Sequence, residues 1–272
     1  MEGRGWIVKS FLYQEHTREE INRMAREGYM AVVALAATEQ HGPHLPVSTD
    51  CLIGEYVAIQ AVASAAREVP LLLCPLLSIG CSDHHLRFGG TLSFSSATYL
   101  HMLRDIGESL VRGGFRKIAF LNAHGGNEQI MHQTANDLAV KHPIWTASAS
   151  YWNVSREALE AENAKEVGMV PGHAGGFETA IVLALREQLV DSIHEAVSAD
   201  HSPRAWIHSG PPGTFIGRHQ ELTGMDGYTD TPHLATAERG LRYINAICAG
   251  VADWLIKTYR SMEQGEKSMK PS

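Results

Sequence analysis

Long hydrophobic runs are missing from this chain. No apolar stretch reaches the roughly 18 residues that a membrane span needs, and residues 1–11 are broken by Glu2, Arg4 and Lys9, so no signal peptide is expected. Cysteine is scarce. Cys51, Cys74, Cys81 and Cys248 form no CxxC pair and no disulfide framework, which reads as reduced thiols in a cytoplasmic protein. Basic charge is neither abundant nor clustered: 23 Lys plus Arg stand against 30 Asp plus Glu, for a net charge of −7. That balance excludes a phosphate-backbone binder, so no nucleic-acid partner is expected. Neither GxGxxG nor GxxxxGK[ST] follows any predicted strand, which removes the usual phosphate-cradling loops.

What is present is an ordinary globular balance, 44% hydrophobic and 19% charged over 272 residues. The length allows one large domain or two small ones. No composition shift, repeat or low-complexity tract marks a boundary, and a single domain over residues 1–272 is expected. The unusual count is histidine, with 15.

Periodicity gives alternating elements. Residues 17–27 read as a helix opened by a Thr17/Glu20 capping box and closed by Gly28. Residues 29–37 form a continuous apolar run, the pattern of a strand covered on both faces. Further strands are expected over 69–77 (broken by Pro75), 117–121 and 144–152. Helices are expected over 50–66 with Asp50 as cap, 96–113 with Ser96 as cap, 127–141, 175–186 and 236–260, with an irregular stretch over 202–233. This alternation predicts an α/β protein, a three-layer α/β/α sandwich with a mainly parallel central sheet.

Ligands of such sheets sit beyond the carboxyl ends of the strands, and the residues there are informative. Thr38-Glu39-Gln40-His41-Gly42-Pro43-His44-Leu45-Pro46 through Asp50 follows the first strand, Gly80-Cys81-Ser82-Asp83-His84-His85 the second and Asn122-Ala123-His124-Gly125-Gly126-Asn127 the third. Gly172-His173-Ala174-Gly175-Gly176-Phe177-Glu178-Thr179 opens a helix. Imidazole and carboxylate together suit zinc, manganese or iron. Glu39 and His41 project to one side of an extended segment, Asp50 at a helix start can offer both oxygens to two cations, and His124 follows a strand directly. Gly125 and Gly126 let backbone approach a ligand closely. His173 and Glu178 are candidates for proton transfer and a further ligand. Cys81 is read as a core residue rather than a nucleophile. His194, His201, His208, His219 and His233 lie outside these clusters and receive no role.

These blocks, with Gly90-Thr91 and the stretch from Asp226-Gly227 to Ala235-Thr236-Ala237-Glu238-Arg239-Gly240, resemble the creatininase (creatinine amidohydrolase) family in order, from about residue 20 to 255. The resemblance implies an α/β/α metallohydrolase, commonly hexameric, with a centre of two divalent metal ions that cleaves amide-type C–N bonds of a small-molecule substrate. It implies Glu39, His41, Asp50 and His124 as metal ligands with Asp50 the bridge, and His173 as general acid/base. Ser82 and His85, with the backbone at Gly125 and Gly126, would bind substrate. The chain departs from the family pattern where a glutamate ligand is replaced by Gly126 and a tyrosine by Gly125. It lacks a tryptophan just ahead of His173, has His84 where many members carry an acid, and has Gly89 in place of a proline. Glu178 would supply the missing ligand, and creatinine itself is not the expected substrate. The alternatives are a formamide, a small peptide or a cyclic ketone (keto-inositol) hydrolysed on the same centre, or a non-catalytic small-molecule-binding protein.

Overall fold

The computed structural model describes residues 10–191 and 226–268. Four strands, β1 (Met30–Leu35), β2 (Leu71–Leu73), β3 (Lys117–Asn122) and β4 (Trp145–Ser150), form a parallel sheet in the order β2-β1-β3-β4. Met30 pairs with both Leu71 and Lys117, and Lys117 pairs with Trp145, so the strands start level. Leu35, Asn122 and Ser150 accordingly finish level, and the loops that follow them leave from one edge.

The helices among the described residues are α1 (Arg18–Arg26), α2 (Thr49–Ala65), α3 (Ser96–Arg112), α4 (Glu128–Lys141), α5 (Tyr151–Val154), α6 (Arg156–Ala161), α7 (Gly176–Arg186) and α8 (Ala237–Ser268). Strand residues alternate between two cores, as the two-residue period of a strand requires. Met30, Val32 and Ala34 join one core with Val57 and Ala61 of α2, Phe177 and Ile181 of α7, and Ile247 and Val251 of α8. Ala31, Val33 and Leu35 join the other with Met24 of α1, Leu103 of α3, and Met131 and Leu138 of α4. The result is the expected three-layer α/β/α arrangement around a parallel sheet.

Several boundaries move. The Thr17/Glu20 capping box is present. Ser95 rather than Ser96 caps α3, its side chain accepting from the Thr98 amide. β2 keeps only Leu71–Leu73 of the expected run, because Pro75 has no amide proton for the ladder. The last strand ends at Ser150, where α5 begins. α8 runs on to Ser268. Most of the irregular stretch over 202–233 lies outside the described residues, as do His194, His201, His208 and His219, while His233 sits in a short 3-10 turn.

One correction bears on the site. Asp50 does not cap α2. Ser48 holds the cap position, and Asp50 lies within the first helical turn, buried. Its carboxylate is thereby free of the helix end and points away from solvent. Gly54, one turn later, explains the placement: a β-carbon there would lie 2.8 Å from the Ala123 β-carbon. The missing side chain lets α2 settle against the carboxyl end of β3, bringing Asp50 to the residue after Ala123.

Candidate metal centre

The loop after β1 turns back on itself. The Glu39 amide donates to the Val47 carbonyl at 2.9 Å, and His41 bridges to Leu45 across Gly42, whose φ is +65°. This fold points Glu39 and His41 inward, each 0% exposed. The carbonyl of Glu39 can only accept, so the His41 Nδ1 at 3.0 Å carries the proton and leaves Nε2 as a lone-pair donor. That Nε2 lies 3.2 Å from Asp50 Oδ1 and 3.8 Å from Glu178 Oε2.

His124 leaves the end of β3 through a backbone clamp. Asn122 Oδ1 accepts from the His124 amide, and Asn122 Nδ2 donates to the His124 carbonyl and to Ser150 Oγ. The ring Nε2 sits 3.1 Å from the Cys81 carbonyl and 3.2 Å from Ser82 Oγ. Its proton therefore belongs on that side, and Nδ1 faces Asp50 Oδ2 at 3.1 Å and Glu39 Oε1 at 3.2 Å. Outer hydrogen bonds that fix a tautomer in this way are the usual support of metal-binding imidazoles.

His173 and His85 complete the wall. His173 Nε2 faces the Gln40 carbonyl at 2.9 Å, leaving Nδ1 turned to Glu39 Oε1 at 3.5 Å. Gln40 Nε2 donates to His85 Nδ1 at 2.8 Å, and His85 Nε2 stands 3.4 Å from Glu39 Oε1. The His85 and His173 rings stack at 4.1 Å. The Glu178 carboxylate accepts from the Ala174 amide at 2.5 Å. Reciprocal bonds between His173 and Thr229 hold the loop of His173 from the other side.

Charge and burial set the electrostatics. Burial pushes the Glu178 carboxyl up to about 8, only partly opposed by His41. Burial also acts to raise Glu39, but His124, His85 and His173 together outweigh it and hold that carboxyl well below its ordinary value. Burial would lower His41 and His124, yet both are raised, His41 to about 10 by Asp50 and His124 by Glu39 and Asp50. Burial lowers His85 to about 3 and holds His173 well below its ordinary value.

Both Glu39 oxygens, His41 Nε2 and Asp50 Oδ2 are buried with no hydrogen-bond partner among the described residues. Orphaned buried carboxylates and lone pairs are costly, by several kcal/mol for an unpaired ion, unless something positive sits among them. A cation fits this donor set. One donor atom each from Glu39, His41 and Asp50 lie within 4.8 Å of one another, and the same holds for His41, His173 and Glu178. It also holds for Glu39, His85 and His173, and for Glu39, His84 and His124.

All the expected site residues therefore meet at one edge, though not in one shell. Ser82 is fully buried and touches the His124 ring rather than open space. Gly125 is open above its α-carbon, whereas a β-carbon on Gly126 would lie 2.1 Å from the Cys81 carbonyl oxygen. Several contributors have no role that residue type or spacing assigns. Gln40 sits between two candidate ligands and links His85 to Gly227. Asn127, legible only as a helix start, ties the Cys81 amide to the Ala36 carbonyl. Asp230 accepts from the Met169 and Gly176 amides and so fixes the start of α7.

The fold and this cluster define an α/β/α protein with a candidate carboxylate–imidazole metal centre at the carboxyl edge of a parallel sheet. The chain belongs to the creatininase family, whose model, described as creatinine amidohydrolase, matches residues 14–255. It is 28% identical to the mycofactocin precursor peptide peptidase of Mycolicibacterium smegmatis over 82% of this chain and 83% of the relative. It is 26% identical to the creatinine amidohydrolase of Pseudomonas putida over 91% of this chain and 96% of that one. Among solved structures, creatininase superposes with a TM-score of 0.75 at 25% identity, covering 93% of this chain and 99% of its own. Creatininase structures of the same fold at 24% identity, covering 92–93% of this chain and 99% of theirs, include a Zn–Zn form with a TM-score of 0.75 and a Mn form at 0.73.

Proposed function

We propose that the protein is a metal-dependent hydrolase that cleaves an amide-type C–N bond of a small molecule. Glu39, His41, Asp50, His124 and Glu178 would hold two divalent ions, zinc, manganese or iron. The observation that carries this reading is the Asp50 carboxylate, which offers Oδ1 to His41 and Oδ2 to His124. A carboxylate whose two oxygens each face a separate imidazole nitrogen suits a shared bridge once those nitrogens give up their protons. Family membership supports the same chemistry, as do the zinc and manganese forms of creatininase.

Bound divalent ions supply Lewis acidity, polarising the carbonyl and bringing a water molecule's pKa toward neutrality. This chain's residues supply the rest. Hydrolysis adds water across the C–N bond, so a proton leaving the attacking water must reach the departing nitrogen. His173 is suited to carry it at Nδ1, because burial keeps the ring neutral and Gln40 fixes Nε2 as the other donor. His85, oriented by Gln40, and the open backbone at Gly125 would bind substrate, with Gly126 close beside. Ser82 would steady the His124 ring.

A peptide amide is the second reading for the scissile bond, favoured by the similarity to the mycobacterial peptidase. The matched stretch from 14 to 255 supports one domain, and the four free cysteines suit a reducing cytoplasm. A homo-oligomer, hexameric by the family resemblance, completes the proposal. No helix among the described residues is long and apolar enough to cross a membrane. The test is to purify the protein gently, assay its metals, and screen the reconstituted form against creatinine, formamides, lactams, small peptides and cyclic ketones. Chelator-sensitive turnover of an amide is expected. Less than one equivalent of transition metal, or turnover indifferent to chelation, would overturn the reading.

A further inference from the structure

His84 has no hydrogen bond or ion pair among the described residues, although it is half-buried beside the most polar cluster of the protein. Its ring lies parallel to that of His124, 8° apart with centroids at 6.0 Å, and packs on His85 at 4.1 Å. One donor atom from each of Glu39, His84 and His124 lie within 4.8 Å of one another. The position beneath is kept bare: a β-carbon on Gly126 would stand 3.2 Å from His84 Cε1 and 2.5 Å from His124 Nε2. The Cys81 carbonyl, 2.1 Å from that position, and the His124 ring keep 126 bare, and the His84 ring stands at the edge of the space left open.

We propose that His84 is an additional nitrogen donor at the second cation position, the one framed by Glu39 and His124. This rests on the two-metal reading above and deepens it. The first position has His41 and Glu178 of its own and shares the Asp50 carboxylate with the second. At the second, His124 and the Glu39 and Asp50 carboxylates face one another, and the two carboxylates leave three oxygens without hydrogen bonds. A neutral imidazole adds a donor there without adding negative charge, which favours a borderline ion such as zinc over a hard oxygen-seeking one such as magnesium.

The test uses cobalt(II) as the probe, titrated into the metal-free full-length protein and followed by its visible d–d absorption and by bound-metal analysis. His84→Ala and the bulkier His84→Gln are compared with the parent, each checked for folding by circular dichroism. Parent protein is expected to take up two ions. Both variants are expected to hold the first with unchanged affinity and to weaken the second at least ~10-fold, with a changed spectrum for the second ion only. Two ions bound by His84→Gln with the parent's affinity and spectrum would overturn the role of His84 and leave the metal centre standing. A parent that takes up no cobalt would overturn the metal reading itself, and this inference with it.

Discussion

Asp50 and His124 meet through Oδ2 and Nδ1 at 3.1 Å, although one belongs to the first turn of α2 and the other lies two residues beyond β3. The contact exists because Gly54 lets α2 lie against Ala123. Asp50→Ala should remove metal binding at both positions. Loss of the Lewis acid forfeits several kcal/mol of transition-state stabilisation, so turnover should fall on the order of 10³-fold or more. Metal content and kcat, measured on the same preparation, check this. Full metal content in the variant would rule out the bridge.

In the metal-free protein, the positive charges closest to Glu39 and Asp50 are histidine protons, and the carboxylates raise His41 to about 10 and raise His124 as well. A metal ion must displace those protons. Zinc uptake at neutral pH should therefore release protons, and affinity should fall as pH is lowered. Calorimetric titration in two buffers of different ionisation enthalpy measures the release. An identical heat in both would contradict it.

His173 faces Glu39 through Nδ1 and is anchored through Nε2, so its replacement should affect proton transfer more than metal retention. His173→Gln should lower kcat ~10²–10⁴-fold while leaving two ions bound. Stoichiometric loss of metal in this variant would make His173 a ligand instead.

Asn127 is buried and joins the Cys81 amide to the Ala36 carbonyl. Asn127→Ala orphans both groups and should cost about 2 kcal/mol of stability. The midpoint of urea unfolding reads the loss. An unchanged midpoint would mean that water replaces the side chain.

His44 is buried against Thr179, and burial lowers it from 6.5 to about 4. The folded state thus binds this proton less readily than the unfolded chain. Its penalty is absent above pH 6.5, grows as pH falls toward 4 and is complete below that, on the order of 3 kcal/mol. His44→Gln keeps a hydrogen-bonding side chain that does not titrate. Stability measured across pH 4–7 should therefore fall less steeply in the variant than in the parent.

The amino-acid sequence alone determined the layers and the kinds of side chain that gather at the sheet edge. The uninterrupted apolar run of β1 requires cover on both faces, and the His- and acid-bearing blocks after successive strands must leave one edge once those strands are parallel. Local patterning of this kind is short-ranged, and a single chain carries it. Tertiary structure decided what depends on approach between distant segments. Gly54 matters only because Ala123 lies against it, and Gln40 and Asn127 become structural ties only when their partners arrive from other loops. The sequence places Asp50 as a helix cap because capping is a local tendency, whereas its burial between His41 and His124 is a property of two elements packed together.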